Sequence, residues 1–167
     1  SKINIKKMKN KSGKTRILFL SNLIETKGVF ILLEALKILK KKKIDFFCDY
    51  AGGEGDISLE EFNKKVEFFG LKKNVIYYGK KFGKEKKALF LKADIFAFPT
   101  FYSYETFGIV NVEAMMYGLP VISTNEGAIT DVIDHMKNGL IIEKQNPYEL
   151  SKAVEYLIHN PEKRYKM

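Results

Sequence analysis

Cysteine occurs once in the 167 residues, tryptophan not at all, proline four times and glycine twelve. The single thiol, Cys48, cannot close an internal disulfide, which excludes disulfide-stapled folds and points to a reducing compartment. Little glycine and proline beside 13% aromatic residues excludes fibrous and disordered classes. Apolar runs stop at about six residues, against the ~20 that span a bilayer, so no transmembrane helix is expected. Residues 1–16 are polar and basic and lack the apolar stretch of a signal peptide. Arginine is almost missing too: Arg16 and Arg164 are the only two among 29 basic residues. Base-reading proteins lean on the arginine fork, so this scarcity argues against nucleic acid as a partner.

What remains is 46% hydrophobic and 29% charged, long enough for one domain that buries roughly 70% of its unfolded surface. The expectation is a soluble, cytosolic chain, with residues 1–15 as a flexible basic lead-in and 16–167 as the folded domain. The charge is lopsided. Residues 1–43 hold 13 basic residues and two acids, Glu25 and Glu34, a balance of +11. Residues 44–167 hold 16 against 18, a balance of −2, and the two sum to the net +9. A solvated, lysine-rich surface accounts for the basic end; peripheral contact with the anionic inner face of a membrane is the alternative.

Apolar periodicity alternates between strand and helix. Strand-like runs fall at 16–21, 45–51, 75–78, 94–98, 119–123 and 139–142, and helical spacing at 29–43, 58–69, 84–92, 108–117 and 147–159. Ser58 with Glu61 three residues on reads as a capping box, and Pro147 suits a first helical position. This is β-α repeated about six times, which implies parallel pairing through right-handed crossovers. The expected fold is α/β: a doubly wound, mostly parallel sheet with helices on both faces. Such sheets take ligands beyond the carboxyl ends of their strands.

Several motifs fail. Gly13-Lys14-Thr15 imitates the end of a P-loop, but Met8 stands where its first glycine belongs and no strand precedes it. Gly52-Gly53-Glu54-Gly55 follows a strand without the spacing of a dinucleotide fingerprint. His135 and His159 have no partners at metal-ligand spacing and read as ordinary surface or boundary histidines, so no metal is expected.

One segment does not fail: E-T-F-G-I-V-N-V-E-A-M-M-Y-G-L-P-V-I over residues 105–122. The helix it predicts is apolar on nearly every side, with Ile109, Val110, Val112, Ala114 and Met115 around Glu113. An unpaired carboxylate buried there is costly, so it needs donors, and sugar hydroxyls are good ones. Glu105 falls before the helix, at the carboxyl end of a strand. Between the two acids Gly108 opens the helix, and the free N–H groups near Ile109 and Val110 suit a phosphate. The competing assignment gives Glu105 to solvent and Glu113 to a lysine; the residues alone leave both standing.

The same segment closely resembles the signature of the retaining GT-B glycosyltransferases of family 4, group 1. The resemblance extends to residues 18–35 with Lys27-Gly28, to Tyr50-Ala-Gly-Gly-Glu-Gly, Asn74-Val-Ile-Tyr-Tyr-Gly79, Lys92-Ala-Asp-Ile and Asn138-Gly-Leu140, in order. It implies the Rossmann-like, donor-binding half of a two-domain enzyme that transfers a sugar from a nucleoside diphosphate sugar, UDP- or GDP-linked with UDP preferred. On this resemblance Lys27 holds the diphosphate and Glu105 the transferred sugar, as the catalytic pair. Glu113 takes the ribose hydroxyls, Thr106, Phe107, Gly108, Ile109 and Val110 surround sugar and phosphate, and Gly53 and Gly79 lie along the nucleotide. One position departs: Asn22 stands where the family commonly has a second diphosphate cation, so another nearby lysine would have to supply it. No cofactor beyond the donor is implied. The acceptor, a glycan or lipid-linked sugar in cell-surface polysaccharide or glycolipid assembly, would meet a first domain that these residues do not include. The chain starts at Ser1 and stops at Met167, and is expected to be a fragment that binds donor without turnover. A GT-B sugar-nucleotide epimerase and a non-catalytic module docking on anionic membrane are the alternatives.

Overall fold

The computed structural model describes residues 13–167. The lead-in expected over 1–15 falls almost wholly outside them, as does Met8, and Thr15 already belongs to the first strand. Six strands alternate with helices: β1 (Thr15–Leu20), α1 (Val29–Lys41), β2 (Phe46–Ala51), α2 (Leu59–Phe68), β3 (Val75–Tyr77), α3 (Gly83–Lys92), β4 (Ile95–Phe98), α4 (Ile109–Met116), β5 (Val121–Thr124), β6 (Gly139–Ile142) and α5 (Pro147–His159). A further short helix, α6 (Pro161–Lys166), follows where the sequence reading stops at α5. Pro161 cannot continue α5 but is preset for a first turn, so the helix restarts instead of extending. Ser58 caps α2 by accepting from the Glu61 N–H at 3.1 Å, and Asn146 caps α5 from Glu149 at 2.9 Å.

The sheet is fully parallel in the order β3-β2-β1-β4-β5-β6. The chain therefore builds outward from β1 to β3, returns to β4 on the other side of β1, and continues outward to β6. Right-handed crossovers in opposite directions put the helices on both faces: α1 packs on α5, while α3 lies over β1 and α4 over β4 and β5. The central strands are continuous apolar runs because both faces are covered; Ile17, Leu18, Phe19, Ile95 and Phe96 are inaccessible. Phe19, Tyr50 and Phe62 pack through this core in tilted and edge-to-face contacts at centroid distances of 5.0 and 4.9 Å. One ion pair is buried in it: Arg16 Nη1 donates to Asp49 Oδ1 at 2.7 Å across the β1–β2 pairing. Both histidines are exposed. Among the described residues no helix is long and apolar enough to cross a membrane.

Candidate functional site

Strand order reverses between β1 and β4, and this switch point is where an open parallel sheet takes its ligands. The loop after β1 ends in a 3₁₀ turn, Glu25–Lys27, and the loop after β4 runs from Pro99 to Gly108. The two are stitched together: the Phe101 N–H donates to the Thr26 carbonyl at 2.8 Å, and Thr100, itself buried, lies beneath. Over that seam Lys27 Nζ donates to Glu105 Oε2 at 2.7 Å, and Thr100 Oγ1 donates to the same oxygen at 3.3 Å. The Lys27 ammonium also stands over the Tyr102 ring, 4.3 Å from its centroid. The Lys27 and Glu105 side chains are only 18% and 10% exposed, so the pair is shielded but open to the edge. A third loop, after β5, braces Glu105 from behind. The Ala128 N–H donates to the Thr106 carbonyl at 2.8 Å, and a Cβ on Gly127 would fall 2.0 Å from the Glu105 carbonyl oxygen.

Glu113 projects from α4, and Lys86 in the first turns of α3 donates to both its oxygens, at 2.7 and 2.9 Å. Lys86 also lines a cavity of about 310 Å³ at the carboxyl ends of β1 and β2, shared with Ser21, Asn22, Gly52, Lys80 and Phe82. Asn22 is tied to the glycine loop beneath it, its Oδ1 accepting from the Gly53 N–H at 2.9 Å. Gly79 accepts from the Gly52 N–H at 2.9 Å, and Tyr77 donates its hydroxyl to the Gly52 carbonyl at 2.7 Å. Burial, and after it the Glu54 carboxylate, pushes the Tyr77 phenol up, so it remains a donor there.

Gly108, in the left-handed region at φ 59°, turns the chain into α4 without a side-chain cap. The first N–H groups of α4 are thus left to whatever occupies the edge. Phe107 and Ile109 are exposed, Val110 is half-buried, and Thr106 is exposed beside Glu105. Two cationic carboxylate pairs, a glycine-opened helix start and a cavity walled by lysines lie along one edge of the sheet. The set suits an anion flanked by hydroxyls. Among the described residues, no group of three His, Cys, Asp or Glu side chains is placed to hold a metal ion.

A sequence profile described as "Glycosyl transferases group 1" matches residues 1–167. The chain belongs to this family. Among curated members it is 31% identical over 160 residues to an uncharacterised glycosyltransferase of Methanocaldococcus jannaschii, covering 88% of this chain and 39% of that one. It is 31% identical to spore coat protein SA of Bacillus subtilis, covering 93% and 42%. It is 33% identical to an uncharacterised protein of the Klebsiella pneumoniae cps region, covering 86% and 36%. The chain therefore spans about two fifths of the length of these relatives. Among solved structures, Anabaena HepE in complex with UDP-glucose superimposes with a TM-score of 0.83 at 25% identity, over 99% of this chain and 46% of that one. The isolated C-terminal domain of a group 1 glycosyl transferase from Francisella tularensis gives 0.79 at 26%, over 91% and 79%. The chain is thus the C-terminal, Rossmann-like domain of a GT-B glycosyltransferase.

For a group 1 glycosyl transferase, the expected positions divide into three places. Lys27 and Glu105 pair at the switch point, with Thr106 next along the chain; Asn22 lines the cavity, where Gly53 bonds to it, Gly79 bonds to Gly52 and Glu113 bonds to Lys86; Phe107, Gly108, Ile109 and Val110 form the approach to and the start of α4. One expectation needs correction. Helix α4 is not buried all round: Ile109 is 68% exposed, and Glu113 keeps 33% of its side chain in contact with solvent. Short α4 lies along the rim, so only Asn111 and Ala114 point fully inward. Of the competing assignments, Glu113 does pair with a lysine, whereas Glu105 is not left to solvent. Sequence reasoning missed Lys86 and Thr100. Thr100 carried a signal, as the first hydroxyl beyond an apolar strand that ends at the ligand edge. Lys86 had none, since Lys84 and Lys87 stand beside it in the same helix.

Proposed function

We propose that this chain is the nucleotide-sugar donor domain of a retaining glycosyltransferase acting in cell-surface polysaccharide or glycolipid assembly, with the acceptor bound by another part of the full-length protein. The reading is carried by the Lys27–Glu105 pair at the switch point, on the same rim as the start of α4 and the Glu113 one turn into it. Lys27 supplies a point charge to a diphosphate, the open amides of α4 supply dipoles, and Glu105 and Glu113 supply acceptors for sugar and ribose hydroxyls. The complex of HepE with UDP-glucose supports a UDP-linked donor. Transfer would further require the acceptor domain to close over the rim, excluding water and orienting the reacting hydroxyl. Alone, the chain would bind donor without turnover.

Calorimetric titration of the chain with UDP, GDP and ADP, and with the corresponding sugar nucleotides, tests this. We expect selective binding of one base and a loss of about tenfold or more in Glu113→Ala, as for a hydrogen-bonded charged acceptor. No binding of any of them, by the chain or by the full-length protein, would exclude a donor site.

A further inference from the structure

We propose that Lys80 is a specificity-determining residue of this site: its ammonium contacts the phosphate groups of the nucleotide and supplies the positive charge that the paired lysines lack. The inference rests on the donor-domain reading above and assigns a contact within it. Three lysines, Lys80, Lys81 and Lys86, wall the 310 Å³ cavity, and no acidic residue does. They are not equivalent. Lys86 is held by both oxygens of Glu113, and Lys81 by Glu85 at 3.0 Å. Lys27, at the switch point, is likewise balanced by Glu105. Each central cation of the rim therefore meets a carboxylate, and these pairs alone carry no net charge toward a polyanion. Lys80 has no acidic partner among the described residues.

Its stem also has a seat, although the residue is exposed. The Lys80 stem lies across Gly53, so that a Cβ added at Gly53 would come 2.4 Å from its Cε and 3.2 Å from its Cγ. Gly53 is buried beneath that stem, and its N–H is bound to Asn22 on the same cavity wall. Absence of a side chain at 53 thus leaves room for the aliphatic stem of an exposed lysine that also lines the cavity. Next to it Phe82, 74% exposed, offers an aromatic face on which a base can stack. An unbalanced ammonium beside a stacking surface suits a nucleotide whose affinity grows with its phosphate count.

The test is calorimetric titration of uridine, UMP and UDP into the chain and into Lys80→Gln, Lys80→Arg and Lys84→Gln. Lys84 is exposed and lies outside the cavity lining, so its variant controls for bulk charge. We expect Lys80→Gln to bind UDP about tenfold more weakly, in line with a lost charge-assisted hydrogen bond. Uridine affinity should be unchanged, and the salt dependence of UDP binding shallower. Lys80→Arg should keep most of the affinity, and Lys84→Gln all of it. UDP binding that is equal in wild type and Lys80→Gln overturns the role of Lys80 and leaves the donor domain intact. A matching loss for uridine overturns it as well, since that marks a packing role. If neither the chain nor the full-length protein binds UDP, GDP or ADP, the donor-domain reading fails and takes this assignment with it; where only the full-length protein binds, or the base bound is not uracil, the same variants are compared there with that base.

Discussion

Arg16 and Asp49 show at the scale of single residues what the fold demands of its charges. They lie on neighbouring central strands, where an ion pair costs more desolvation than an exposed one and only a close partner offsets it. Burial raises the Asp49 carboxyl above its ordinary range, while Arg16, and more weakly Lys92, pull it down. Replacing Arg16 by methionine removes the main charge that opposes this rise. The folded-state pKa of Asp49 then climbs further above its unfolded value of 3.8. An acid with a raised folded pKa contributes stability that is full below the unfolded pKa and is lost as pH rises through the folded one. The variant should therefore be about 3–5 kcal/mol less stable than wild type at neutral pH. That deficit should shrink between neutral pH and a pH nearer the unfolded value, as the variant's Asp49 takes up its proton. Denaturant unfolding at the two pH values measures it. An equal deficit at both would mean that lost packing of the guanidinium on the Phe47 ring, 4.8 Å away, is the whole effect.

At the scale of elements, the loops at the carboxyl edge matter more than the helices they join. Gly127 and Gly70 both have positive φ, 53° and 69°, but only Gly127 is crowded: its Cβ would overlap the Glu105 and Thr106 carbonyl oxygens, at 2.0 and 2.6 Å. Gly70 faces open space. Alanine at Gly70 should cost about 1 kcal/mol of backbone strain and leave ligand binding unchanged. Alanine at Gly127 should cost about 2–4 kcal/mol, because backbone rather than a side chain must yield. It should also weaken donor binding by moving the loop that carries Glu105. Thermal melts beside nucleotide titrations separate the two, and matched behaviour of the variants would show that the β5 loop does not brace Glu105. Much of this edge was legible in the sequence. Alternating strand and helix spacing gave the doubly wound sheet, and the spacing of Glu105, Gly108 and Glu113 put acids on either side of a helix start. What was not legible depends on how elements turn against one another. The choice of Lys86 over its neighbours follows from the facing of α3 toward α4. The exposure of Ile109 follows from α4 lying on the rim, where an apolar pattern does not distinguish burial in this domain from a face turned to the edge.

For the whole molecule, Cys48 offers a probe of how these parts cohere. It sits at the middle of β2, paired in register with Ile17 of β1 and Val75 of β3, and is inaccessible. Burial, and then the neighbouring Asp49 carboxylate, push its thiol well above the ordinary range, so the native protein holds almost no thiolate. Since the thiolate is the nucleophile, labelling by a disulfide reagent must wait for the sheet to open. Labelling in increasing denaturant should therefore follow the same midpoint as loss of helical circular dichroism. The nucleotide should slow it, because the loops that would hold the ligand follow β1, β2 and β4 and cannot part from the sheet without releasing it. With opening faster than modification, UDP at 100 times its Kd stabilises the closed form by about 2.7 kcal/mol, which slows labelling about a hundredfold. Labelling that proceeds in native buffer at the rate of an unfolded peptide would show that β2 frays independently. Protection in denaturant that UDP does not extend would uncouple the ligand edge from the sheet beneath it.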